Sequence, residues 1–452
     1  MKIAFLADPL SGFKIYKDST FAMMREAARR GHAIYAFEQR DMVLEEGVVS
    51  AKVARIHLTG EASDWYRADA AEDVKLSEFD AIIERKDPPF DMEYVYGTYL
   101  LELAERQGAR IVNRPSAIRD HNEKLAIGQF ADYTSPTLVS SDPARLRAFH
   151  GKHGDVIFKP LDGMGGAGIF RVKSDGLNLG SIIETLTNYG AQTIMAQKFI
   201  PAIDKGDKRI LVIGGKPVPF VLARIPQGGE VRGNLAAGGI GVAQPIGERD
   251  REIAEALGPV LAASGLLLVG LDVIGDFLTE VNVTSPTCFQ EIFDQTGFDV
   301  AAMFVDAVEA ACGGNGWDIM VGILLLTHAP LGQAFIAAVA HVFRGPTERF
   351  EAIDVAADQD IGEVNKLARQ AIARLDEGDG VLVITDVKGG TPSNCCNSLA
   401  NAGQVEVIAG ISLPMLLRAI TYRRDTLDVV VEMALAGAQN GAVRVDNRIR
   451  VG

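Results

Sequence analysis

The sequence predicts an α/β protein of three domains, and three observations carry that reading. Its 452 residues amount to about three domains at roughly 150 residues each. Apolar strand-length runs alternate with helical stretches towards both ends of the chain, the pattern of open α/β sheets. Between them lie short strands joined by glycine-containing turns, an α+β texture with antiparallel pairs. The domains read as an open α/β sheet over 1–121, the α+β domain over 122–312, a linker at 313–319, and a doubly wound parallel α/β domain over 320–452.

Lys2–Ala7 is the first strand, and Ser19–Arg30 follows as a helix with Gly31 past its end. Ala81–Glu84 and Arg110–Val112 are further strands, and Met92–Gln107 is a helix ended by Gly108. In the middle domain Val156–Lys159, Ile169–Val172, Ile210–Ile213, Pro219–Arg224 and Val269–Ile274 read as strands, with helices at Asn122–Ala131, Ser181–Gly190 and Asp250–Ala263. Gly313-Gly314-Asn315-Gly316 is the obvious linker. Beyond it a unit recurs: Ile323–Thr327 leads to Pro330, Val381–Thr385 to Pro392, and Val405–Ala409 to Pro414. Each is a strand, a polar turn, and a proline suited to a first helical turn, where its missing N–H costs nothing. Ligands of such a sheet belong at the carboxyl ends of its strands.

Composition narrows the partners. A hydrophobic share of 48% and a charged share of 23% exclude a disordered, collagen-like or coiled-coil chain. The net charge of −14 argues against nucleic acid, whose binders are usually basic. Residues 318–452 carry −4 and residues 1–317 carry −10, so neither part is a charged tail. Cys288, Cys312, Cys395 and Cys396 make no disulfide framework or zinc knuckle. With no secretory signal and no run of ~20 apolar residues, the expectation is a cytoplasmic protein without a membrane span.

Asp162-Gly163-Met164-Gly165-Gly166-Ala167-Gly168 contains G-x-G-x-x-G, but Ile169–Val172 after it reads as a strand. A dinucleotide fingerprint needs a helix there, so the loop is a hairpin. Such a hairpin either simply turns the chain or offers backbone N–H groups to phosphates. Lys159 before the loop and Lys124 at an earlier helix start supply point cations. Gln197-Lys198 ends a strand where a hinge would touch a base. Downstream, Leu268–Ile274, Gly275-Asp276 and Phe277–Val283 form an acidic hairpin. Glu280 and Asn282 share a face, and their oxygens suit Mg²⁺ held against phosphate. Asp272 joins that face only with a three-residue loop or a bulge, because a strict two-residue turn pairs it with Thr279. Residues 225–239 hold five glycines and read as a surface loop or a lid.

Arg85-Lys86-Asp87-Pro88-Pro89-Phe90-Asp91, Asn122-Glu123-Lys124, Lys159–Gly166, Arg224–Gly229 and Thr279–Pro286 together resemble bacterial glutathione synthetase, from Met1 to about Cys312. The resemblance implies an ATP-grasp fold and ATP-dependent ligation of γ-glutamylcysteine to glycine, with ADP and phosphate released. It implies that Lys124, Lys159 and the loop Gly163, Met164, Gly165, Gly166 and on to Gly168 hold ATP phosphates. Gln197, Lys198, Phe199 and Ile200 would contact adenine, and Asp272, Glu280 and Asn282 would hold Mg²⁺ or Mn²⁺. Arg85, Arg209 and Arg224 would face the peptide carboxylates and the transferred phosphoryl group. Ser285 would lie near the substrate, and Arg232 and Asn234 on the lid.

In the last domain His328 ends a presumed parallel strand, Asp386 ends another, and Gly389-Gly390-Thr391-Pro392-Ser393 opens a helix that Thr391 is placed to cap. Leu326-Thr327-His328, Val383–Asn394, Val407–Gly410 and Leu413–Leu416 resemble the IIA domain of the mannose-family phosphotransferase system. That resemblance implies His328 as phosphoacceptor, Asp386 as its partner, and the histidine-containing phosphocarrier protein as donor; with no IIB-type acceptor histidine and no membrane span evident, a regulatory or orphan phosphocarrier role is expected. Both families form homo-oligomers, which implies one here. Two readings stay open beside this bifunctional one: another ATP-grasp ligase with a different acceptor amine, or a signalling phosphocarrier produced by joining two genes.

Overall fold

The structure, a computed structural model, describes residues 1–163, 167–227, 238–313, 320–343, 347–376, 378–396, 399–401, 403–423 and 426–441. The chain divides into two compact units, Met1–Cys312 and Gly313–Gly452.

In the first unit, parallel strands Ala33–Phe37, Lys2–Leu6, Ala81–Glu84 and Ile111–Val112 lie side by side in that order. Ile3, Ala4, Phe5 and Leu6 are buried, as a strand covered on both faces requires. The Asp18 carboxylate caps helix Ser19–Arg29 by accepting the Phe21 N–H, and Gly31 takes φ +85° just past its end. The antiparallel strands Met42–Glu45, Val48–Leu58, Tyr66–Ala68 and Glu72–Lys75, which extend this sheet, were not legible. Their exposed faces carry charges such as Glu45, Lys52, Glu72 and Asp73, so they lack an apolar run.

The rest of the unit holds two antiparallel sheets. Val156–Pro160 pairs with Phe170–Val172 and Ile194–Lys198, so a hairpin does join two strands across the glycine loop. The larger sheet runs Ile240–Pro245, Lys216–Ile225, Asp207–Ile213, Leu268–Ile274, Phe277–Asn282. Its apolar face, with Ile210, Val212, Val269, Leu271 and Val281, packs on helix Glu248–Ala263 through Ile253, Leu257 and Leu261. The expected helix Asn122–Ala131 is instead a 3-10 segment, Leu125–Tyr133. Asn122 sits outside it, its Oδ1 accepting the Leu125 N–H at 2.9 Å, and Phe130 breaks the helical path.

The second unit is a parallel sheet, Phe350–Val355, Gly322–His328, Val381–Thr385, Val405–Ala409, with helices on both faces. Among the described residues no helix is long and apolar enough to cross a membrane.

Candidate functional sites

The acidic hairpin has a two-residue turn, Gly275-Asp276, because Ile274 pairs with Phe277. Val273 then pairs with Leu278 and Asp272 with Glu280, leaving Thr279 as the extra residue of a bulge. The bulge is what sets the two carboxylates opposite each other, with Asn282 two residues on. Two ammonium groups reach the same place. Lys124 Nζ lies 3.8 Å from Glu280 Oε1, and Lys159 Nζ lies 3.6 Å from it. Lys124 also donates to the Gly163 carbonyl at 2.5 Å. Lys159 is 4% exposed, and its hydrogen bond to the Thr279 carbonyl is long, 3.5 Å. Burial lowers its pKa, against the pull of Glu280. A buried ammonium with only long contacts fits an anion that completes its shell.

Arg209 meets Asp272 with two N–H groups, at 2.5 and 3.0 Å, and Arg224 pairs with Asp272 at 2.8 Å and with Asp207. Burial pushes the Asp272 carboxyl up, but the two guanidinium groups more than offset this and hold it far below the usual range. Both arginines are thus committed to buried carboxylates rather than presented alone. Asp272 Oδ2 takes one N–H from each guanidinium, whereas Oδ1 accepts only Arg209 Nε and keeps a second lone pair. Asn282 uses its N–H₂ on the Gly270 carbonyl at 3.2 Å, leaving its Oδ1 for a cation. No group of three or more His, Cys, Asp or Glu side chains fit for a metal occurs among the described residues. The set here is two carboxylates and an amide, an all-oxygen donor set suited to Mg²⁺ that shares phosphate oxygens.

Arg85 lies at the end of strand Ala81–Glu84 and is 4% exposed. Its Nε donates to Thr20 Oγ1 at 3.0 Å and its Nη2 to the Pro286 carbonyl at 2.9 Å, while Nη1 is buried without a partner among the described residues. Ser285, beside Pro286, donates to Asp87 Oδ1. Arg85 and Ser285 therefore share one place, and the orphan N–H fits a substrate oxygen. Gln197 is buried and donates to Thr137 Oγ1 at 3.1 Å. The Lys198 and Phe199 N–H groups are bonded to the Pro136 and Asp155 carbonyls, and the Ile200 carbonyl accepts from Ile203, so a base would meet other edges of this segment. A Cβ on Gly163 would lie 2.8 Å from Pro160, so the loop's entry admits no side chain. Met164, Gly165, Gly166, Arg232 and Asn234 lie outside the described residues.

Sequence reasoning missed Glu123 and Asp207. The Glu123 carbonyl accepts the Val281 N–H at 2.7 Å, and its carboxylate takes a 3.4 Å bond from Thr284. Its place directly before Lys124 was the available signal. Nothing local marks Asp207, which becomes an arginine partner only through the pairing of its strand with Lys216–Ile225.

In the second unit His328 Nδ1 lies 2.8 Å from Asp386 Oδ2, and the same oxygen accepts the His328 N–H at 2.9 Å. Partial burial raises the Asp386 pKa, but its bonds from His328 and Val387 bring it below the usual range. The carboxylate therefore holds Nδ1–H, and Nε2 carries the lone pair. A Cβ on Gly390 would come 2.9 Å from His328 Cε1, so that glycine makes room for the ring. Gly390, whose carbonyl accepts the Asn394 N–H, occupies the cap position, and Thr391 is the first helical residue rather than the cap expected. Asp354 was also missed. It accepts from Thr327 Oγ1 at 3.0 Å and from the Gly332 N–H at 2.7 Å, fixing the turn after His328.

A sheet carrying buried lysines and an oxygen-ligand hairpin, beside a glycine hairpin, defines an ATP-grasp enzyme. Family models match twice in this unit: prokaryotic glutathione synthetase, N-terminal domain, over residues 1–119, and its ATP-grasp domain over residues 123–297. The chain belongs to the prokaryotic glutathione synthetase family. It is 66% identical to a glutathione synthetase of Ralstonia nicotianae over 69% of this chain and 97% of that protein. It is 58% identical to one of Nitrosomonas europaea over 68% of this chain and 98% of that protein. A crystal structure of D-cycloserine synthetase shares the fold, with a TM-score of 0.50 at 16% identity, over 69% of this chain and 99% of that one. Residues 322–435 match the mannose-type IIA model, described as the PTS system fructose IIA component.

Proposed function

We propose that the first unit ligates γ-glutamylcysteine to glycine through an acyl phosphate. The observation that carries the reading is the convergence of buried Lys124 and Lys159 on Glu280, directly opposite Asp272. Lys124 and Lys159 bind the ATP phosphates. Asp272, Glu280 and Asn282 would hold Mg²⁺, which would supply neutralising charge to the transferring phosphoryl group. A cysteinyl carboxylate oxygen of the dipeptide attacks the γ-phosphorus, the bond to the bridging oxygen breaks, and ADP leaves. The glycine amine then attacks the acyl carbon, forming the amide as phosphate departs and the amine loses a proton. Little acid–base work is needed, so positioning and charge dominate. Arg209 and Arg224 act by holding Asp272, while Arg85 and Ser285 receive the dipeptide. The test is ADP release with each substrate omitted: glycine omission should suppress sustained turnover, whereas turnover indifferent to glycine would point to another acceptor amine.

For the second unit the reading is phosphoryl transfer from the histidine-containing phosphocarrier protein to His328 Nε2, the nitrogen that Asp386 leaves free. Its proposed role is regulatory. Ligase rates with and without the donor cascade test this, and equal rates would confine the domain to an independent task.

A further inference from the structure

Arg171 is assigned no role above, yet it grips the segment read as the adenine hinge. Strand Val156–Pro160 sits between its two neighbours, with Val156 paired to both Val172 and Lys198. Asp155 precedes Val156, Arg171 precedes Val172, and Phe199 follows Lys198, so three chain segments meet at one end of this sheet. Arg171 Nε and Nη2 engage the two oxygens of Asp155 at 2.9 and 2.7 Å. The same guanidinium carbon lies 3.4 Å from the centroid of the Phe199 ring. The Asp155 carbonyl accepts the Phe199 N–H at 2.9 Å, and the neighbouring Lys198 N–H is bonded to Pro136 at 2.9 Å.

Phe199 is therefore held twice by the same pair, at its backbone by Asp155 and at its ring face by Arg171. A planar, forked cation is needed to do both at once, which a lysine ammonium does not match. On the far side of the hinge a Cβ on Gly275 would lie 3.0 Å from Ala202 Cβ, so the turn of the acidic hairpin abuts the segment after Ile200.

We infer that Arg171 is a positioning residue that clamps Phe199 and so pre-sets the nucleotide hinge. The inference rests on the reading of Gln197–Ile200 as the adenine contact. A hinge already ordered spares the nucleotide the cost of ordering it. Among the described residues the clamp touches none of the groups assigned to the phosphates, so its loss weakens base binding and leaves phosphoryl chemistry alone.

The test uses the full chain and compares ATP with magnesium tripolyphosphate, which has no base. Arg171→Ala should raise KM for ATP about tenfold, with kcat within about twofold and KM for γ-glutamylcysteine unchanged. Its affinity for tripolyphosphate should equal that of wild type. Arg171→Lys should recover only part of the loss, and Asp155→Asn, which keeps the side chain's shape, should show the same KM-only effect even where Arg171→Ala folds poorly. An unchanged KM for ATP, or equal weakening of ATP and tripolyphosphate, would overturn the clamp. A wild type that binds ATP no tighter than tripolyphosphate would overturn the hinge reading and the clamp with it.

Discussion

The hairpin site of the first unit buries its charges, whereas the histidine of the second unit presents its own. Asp272 is 2% exposed and Lys159 4%, while the His328 side chain is 45% exposed. At the hairpin, the Asp272 charge is matched by two guanidinium groups, but Lys159 has only long contacts. That site is arranged to be completed by a small anion and its cation, and its burial suits the acyl phosphate of the proposed reaction, which water would destroy. The histidine site is already complete, its ring oriented by one carboxylate and one glycine. An imidazole exposed in this way is open to approach by a large partner, as the phosphocarrier proposal requires. The difference teaches that what a site leaves unsatisfied, and whether it is buried, distinguishes one that awaits a small anion from one already ordered and open to solvent.

The comparison breaks most completely at His328. His328→Ala should remove all phosphoryl label from the phosphocarrier cascade while leaving ADP formation unchanged; label elsewhere in the second unit would move the acceptor. Lys159→Ala should lower kcat/KM by about 10²–10³, the scale of losing one transition-state donor. Thermal unfolding should be unaffected or improved, because a buried ammonium with long contacts is removed; a variant that turns over normally would deny the phosphate role. Asp272→Ala strands the buried Arg209 guanidinium, leaves Arg224 with Asp207 alone, and should destabilise the first unit by about 3–5 kcal/mol, read by urea unfolding. Asp386→Asn leaves the ring in place but disfavours the Nδ1–H tautomer. It should slow labelling by on the order of 10² or more, with unfolding unchanged.

Much of this contrast was legible in the sequence, for local reasons. The strand after Gly168 disfavoured a dinucleotide fingerprint, and placing Asp272 on the face of Glu280 required a longer loop or a bulge, of which the hairpin has the bulge, at Thr279. His328 and Asp386 could be placed at strand ends because apolar runs stop there. What stayed hidden depended on pairing between distant strands. Strand register puts Asp272 beside Arg209 and Asp207 beside Arg224, partners that neither arginine's own stretch of sequence announces. The same holds for Phe350–Val355, whose residues are mostly half-buried and whose role emerges only when Asp354 meets Gly332 and Thr327.

A smaller effect sharpens the comparison from outside both sites. Glu84 is buried beside Arg85, and burial pushes its pKa from an ordinary 4.5 up to about 8. The folded chain therefore keeps its proton while the unfolded chain loses it, so this contribution to stability is full below pH about 4.5 and lost as pH rises towards about 8. Glu84→Gln should flatten the fall in unfolding temperature over that window, with its largest gain near pH 8; an unchanged pH profile would show that Glu84 ionises normally.

The central claim is that the buried lysine–carboxylate hairpin catalyses amide formation. Its most direct test is steady-state ADP release by the full-length chain with ATP, Mg²⁺, γ-glutamylcysteine and glycine. Turnover should require both the dipeptide and glycine, yield one glutathione per ADP, and all but vanish in Lys159→Ala. ADP release that ignores glycine, or persists undiminished without Lys159, would contradict the account.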